Sequence, residues 1–76
     1  MKHVIEVFDS KTEELLKTVE IPSTRLAELV ELMGWEDPED EIYVYDLSPE
    51  QLSTIAEWTH TQFSETNNII QLVCIA

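Results

Sequence analysis

Residues 41–52, "EIYVYDLSPEQL", hold the sharpest local signal in the chain. Ser48 stands where an N-cap belongs: its hydroxyl can accept from the N–H three residues on, and Gln51 can return the bond to the Ser48 N–H. Pro49 takes the first helical position, where its missing donor costs nothing and its φ is already helical. A helix therefore opens at 49. The residues before it are β-branched and aromatic with no glycine or proline, which predicts a strand over 41–47. This junction makes the chain α+β.

Downstream, Leu52, Ile55, Ala56, Thr59 and Phe63 recur at helical spacing and form the predicted inner face, until "TNN" (66–68) stops the helix. "IIQLVCIA" (69–76) is apolar enough for a strand inside a sheet. Upstream, Leu26, Leu29, Val30 and Met33 of "STRLAELVELMG" (23–34) follow i, i+3, i+4, i+7 spacing and predict another helix. Ser23 or Thr24 can cap its start, and Gly34, the only glycine, suits a left-handed residue after its end. "HVIEVF" (3–8) and "ELLKTVEI" (14–21) read as a hairpin turning at Asp9 and Ser10, with Leu15, Val19 and Ile21 on one side. Pro22 ends it.

The element order is ββαβαβ in one domain, 1–76, since 76 residues leave no room for a second core. Right-handed crossovers for both strand–helix–strand units place the helices together. The expected architecture is an α+β four-stranded mixed sheet with two helices on one face and the other face open.

Charge excludes whole classes of partner. The net charge is −12, and all four basic side chains, Lys2, Lys11, Lys17 and Arg25, precede residue 26, whereas eleven of the sixteen acids follow it. Nucleic acid and anionic membrane are repelled by such a field, because phosphate binding runs on Lys and Arg. A basic protein is attracted and steered. The competing reading is that the charge only keeps a small protein soluble. No apolar run approaches the roughly 20 residues of a membrane span. "MKHVIEVFD" meets an acid at Glu6, unlike a signal peptide, and Cys74 is the lone cysteine, so a reducing, cytoplasmic setting is expected.

Metal and catalytic chemistry find little to work with. Asp37, Glu39 and Glu41 alternate like early calcium-loop ligands, but the sixth and twelfth positions, Ile42 and Ser48, lack the glycine and the bidentate acid that loop needs. Cys74 lies in an apolar strand. A pairing with His3 or His60 is conceivable, yet no orienting group or glycine-rich oxyanion loop accompanies it. The expectation is no enzyme, no metal and no cofactor.

Binding is the chemistry that remains. Residues 36–41 place five carboxylates in six positions: Glu36, Asp37, Glu39, Asp40 and Glu41. Trp35 adjoins them, Trp58 falls about 120° from the centre of its helix's apolar face, and Tyr43 and Tyr45 share one face of the predicted strand. With Ile42 and Val44 turned to the helices, both tyrosines would lie on the sheet's open face. Tryptophan and tyrosine are the residues most enriched at interface hot spots. These nine residues are the candidate partner-binding set.

The hairpin "IEVFDSKTEELLKTVEIP" (5–22), the helix "LAELVELMG" (26–34) and the junction "YDLSPEQL" (45–52) together resemble a family of small acidic bacterial proteins encoded beside polymorphic toxins, including the immunity proteins of contact-dependent growth inhibition systems. The resemblance spans nearly the whole chain through structural motifs, although those relatives carry more aromatic residues near the C-terminus. It implies a non-catalytic cytoplasmic protein that binds one cognate toxin domain, commonly a basic C-terminal nuclease of RNase type, with acids lying where substrate phosphates would. The runner-up is a small acidic adaptor, or a nucleic-acid mimic that titrates a basic protein.

Overall fold

The computed structural model describes residues 2–64 and 66–75. Its elements run β1 (Lys2–Asp9), β2 (Leu15–Glu20), a 3-10 turn (Ser23–Arg25), α1 (Leu26–Met33), a second 3-10 turn (Pro38–Ile42), β3 (Tyr45–Asp46), α2 (Pro49–Thr59) and β4 (Asn68–Ile75). The strands form one sheet in the order β2-β1-β4-β3. The α+β domain of four strands and two helices is as expected.

The strand directions are not. Every neighbouring pair is antiparallel, so the sheet is not mixed. A parallel crossover needs the helix to return the chain to the end where the previous strand began. Here α2 stops at Thr59, short of Phe63, and the chain after it makes its own return journey. Asn68 and Ile70 share a surface hollow with Leu47 and Leu52 beside the first turn of α2. β4 therefore starts where β3 ends and runs back along it.

Directly paired residues of an antiparallel ladder share a face. Ile5 pairs with Val19 on one side and Leu72 on the other, and Leu72 pairs with Tyr45. This row is the core face. Leu29 of α1 and Ile55 of α2 cover it together with Val7, Ile21 and Trp35. The two helices lie antiparallel: Gln51 Nε2 donates to Leu32 O at 3.4 Å at one end, and Arg25 sits 5.8 Å from the Trp58 ring at the other. Val4, Glu6 and Phe8, with their partners Val73, Gln71 and Ile69, form the opposite face.

Leu15 departs from its expected side. The ladder slips between Val7 and Phe8, so Val7 pairs with Lys17 but Phe8 pairs with Leu15. Leu16 is the extra residue of a bulge, and one extra residue reverses the alternation beyond it. Leu15 therefore joins Phe8 on the open face while Val19 and Ile21 face the core.

Turns and caps follow local chemistry. Asp9 Oδ1 accepts the N–H groups of Lys11 (2.8 Å) and Thr12 (3.0 Å), closing the hairpin. Those two donors, Thr12 foremost, hold the Asp9 carboxyl below its ordinary range. The Ser48 box forms as read: Gln51 N donates to Ser48 Oγ at 3.2 Å, and Ser48 N donates to Gln51 Oε1 at 2.9 Å. Ser23 and Thr24 make no cap. Pro22 and Arg25 occupy the N-cap positions of the 3-10 turn and of α1, without a side-chain bond.

Both helices end in the left-handed motif, one with the residue it favours and one without. Gly34 (φ 69°) ends α1, with Gly34 N bonded to Glu31 O and Trp35 N to Val30 O. His60 (φ 53°) ends α2 in the same way, with bonds to Glu57 O and from Thr61 N to Ala56 O. A Cβ in this conformation meets the carbonyl oxygen, a strain glycine avoids. His60→Gly is expected to raise stability by about 0.5–1 kcal/mol, after allowing for glycine's freer unfolded chain. An unchanged or lower urea midpoint would contradict this.

Candidate protein-binding surface

The acidic loop is ordered by its own carboxylates. Asp37 takes the N-cap position of the second 3-10 turn and Pro38 follows it. Asp40 Oδ2 accepts the N–H groups of Glu36 (3.0 Å) and Asp37 (3.1 Å), folding the loop back on itself. The Tyr45 hydroxyl donates to Asp40 O at 2.5 Å, tying the loop to β3. Burial, then the Asp40 charge, push the Tyr45 hydroxyl's pKa up, which keeps it a neutral donor here.

Beneath the loop lies an aromatic stack. The Schellman turn at Gly34 bends the chain so that Trp35 goes inward, and only 9% of it is exposed. Its ring lies 5.6 Å from His3 and 5.5 Å from Tyr45, tilted 35° and 43°. His3 is itself buried. Its Nε2 lies 3.4 Å from Glu41 Oε1, without the alignment of a hydrogen bond. Cys74 is directly across the β1–β4 ladder from His3. The cavity beside His3, lined by Lys2, Glu20 and Ile21 among others, is about 50 Å3, space for a few waters at most.

The nine candidate residues therefore divide. Glu36, Asp37 and Glu39 are exposed, whereas Asp40 and Glu41 are half-buried and Asp40 bonds the loop's own backbone. Trp35 lies in the buried core and Tyr45 packs half-buried against it, a correction to their expected place on an exposed surface. Trp58 is half-buried against the core at the far end of α1, beneath Arg25. The expected face assignment is also reversed. Tyr45 turns to the core, while Ile42 (58%), Tyr43 (56%) and Val44 (57%) stand in solvent. Among the described residues, no group of three or more His, Cys, Asp or Glu could hold a metal ion.

A family model described as "Domain of unknown function (DUF7683)" matches residues 2–73. The chain belongs to DUF7683. No curated protein and no solved structure matches it.

In this DUF7683 domain, sequence reasoning missed Ile42 and Val44, because a strand over 41–47 would have buried them. The signal that could have exposed them lies just upstream. Asp37-Pro38 followed by Asp40 is a capped start, with proline at the first position, and it predicts a helical turn in place of a strand. That turn uses up Pro38–Ile42, and β3 pairs only through Tyr45 and Asp46. No helix among the described residues is long and apolar enough to cross a membrane.

Proposed function

We propose that this chain is a cytoplasmic immunity protein that binds a cognate bacterial toxin domain and neutralises it without catalysis, the toxin being a basic nuclease of RNase type whose substrate surface it covers. One observation carries the reading. The exposed acids Glu36, Asp37 and Glu39 adjoin three exposed apolar residues, Ile42 to Val44, on a chain with no Lys or Arg after Arg25. Carboxylates of one sign steer a basic partner, and a small apolar group that loses its water on contact slows dissociation. Tyr43 is the aromatic member of that group and its expected hot spot. The structural roles of Trp35 and Tyr45 leave them supporting this surface from beneath.

The test begins with the neighbouring genes, where a large toxin reading frame immediately upstream is the expected finding. Co-expression should restore growth of a strain carrying that toxin, and purified chain should block RNA cleavage in competition with substrate. The Glu36→Lys, Glu39→Lys double variant should slow association about tenfold at low salt and much less at high salt, since exposed charges act through a screened field. Association unaffected at every ionic strength would assign these acids to solubility. Failure to protect, alongside tight binding to a DNA-binding protein, would favour the nucleic-acid mimic.

A further inference from the structure

We infer that the open face of the sheet is a contact surface for the basic partner, with Glu6 receiving one of its lysine or arginine side chains; this rests on the basic-partner reading above. The ladder register sets the side chains of this face in rows across the strands. One row is polar and crosses all four strands: Thr18 of β2, Glu6 of β1, Gln71 of β4 and Asp46 of β3. Apolar rows border it. Leu15, Phe8 and Ile69 lie on one side, and Val4 with Val73 on the other.

This face has apolar area to bury. Leu15 is 51% and Ile69 38% exposed, and both helices pack against the opposite side. Val44, 57% exposed, immediately precedes β3 at the Val73 end of its ladder. The apolar run beside the acidic loop therefore adjoins the open face.

Charge selects the partner. The salt bridges among the described residues involve Glu20, Glu28 and Glu41; Glu6 and Asp46 have none. Across the ladders Glu6 faces Thr18 and Gln71, both uncharged, and Lys17 pairs with Val7 of the core face. Glu6 is already half-buried, so part of its hydration is gone before any contact. A purely apolar surface would remove the rest with nothing in return. A second copy would press this carboxylate row and a charge of −12 against its equal, and nucleic acid is repelled for the same reason. A protein surface with a cation set among apolar side chains satisfies the row and its borders together.

The experiment is a 1H–15N NMR titration of the full chain with a short amphipathic peptide of leucine and lysine. Peptides with serine for leucine, and with glutamate for lysine, are the controls. The leucine–lysine peptide should saturate at roughly 0.1–1 mM, with the largest amide shifts at Glu6, Phe8, Gln71 and Val73. The serine–lysine peptide should bind more weakly, and the leucine–glutamate peptide should not bind. Glu6→Gln and Ile69→Thr should each weaken binding about threefold to fivefold, the worth of one partly exposed ion pair or one buried methylene. Glu57→Gln removes the same charge from the exposed side of α2 and should change nothing. Shifts confined to residues 36–44, equal binding by the serine–lysine peptide, or an equal loss in Glu57→Gln would overturn the inference. A failure to saturate would overturn it by assigning Glu6 and Gln71 to keeping the face wet. Sedimentation of the chain alone should show a monomer; a dimer broken by Ile69→Thr would give the face to a second copy and overturn it too. The basic-partner reading survives each of these results, because co-expression and the charge-reversal association assay decide it.

Discussion

Trp35→Ala is expected to be among the most destabilising single changes in this domain. Removing a buried tryptophan costs about 3–5 kcal/mol through lost transfer energy and the cavity left behind. A 76-residue domain has a total stability of about 4–11 kcal/mol. The loss is therefore a large share of the whole. Trp35 is 9% exposed and bridges β1 to β3 through its contacts with the His3 and Tyr45 rings. Without it the acidic loop loses its floor, and Asp40 no longer meets the Tyr45 hydroxyl in the same place. Urea denaturation followed by circular dichroism reads the change, with Trp58 fluorescence as a second probe. Trp35→Phe should recover most of the loss, because a second aromatic ring refills most of the space between β1 and β3. Full stability in Trp35→Ala, with weakened partner binding alone, would return this residue to the surface role its loop position suggested.

Leu72→Ala should lower stability by about 2–5 kcal/mol. Leu72 is 1% exposed and sits in β4 between two ladders, paired with Ile5 on one side and Tyr45 on the other. Strands held on both sides cannot collapse into a cavity, so the upper part of that range applies. Leu15→Ala is the matched control. Leu15 carries the same side chain at a half-exposed bulge site, and surface changes of that kind fall within about 0.5 kcal/mol. The difference between the two urea midpoints, with slopes unchanged, tests where the core lies. Similar losses at both sites would show that the face assignment across the bulge is wrong.

Several features were legible because they depend on a few neighbouring residues. Ser48, Pro49 and Gln51 contain their own hydrogen-bond partners, so the start of α2 is written locally. Gly34 ends α1 for the same reason. Leu29 and Ile55 lie at the spacing that their helices demand. Leu15 and Tyr45 were misplaced by the same assumption, that strand alternation continues unbroken. The bulge at Leu16 reverses it in β2, and the 3-10 turn at Pro38–Ile42 resets it before β3.

For the binding surface, sequence alone determined the field. Net charge and its segregation are sums over residues, and no arrangement of the chain can change their sign. It also determined the two helices and the β-rich segments around them, because capping and periodicity are local. Tertiary structure alone decided which side chains meet solvent. Burial of Trp35 needs His3 from the first strand and Tyr45 from the third, residues far apart in the chain. Exposure of Ile42 and Val44 follows from where β3 finds its partner on β4. Contacts of that range are set by how the sheet closes over its core, and no window of neighbouring residues contains them.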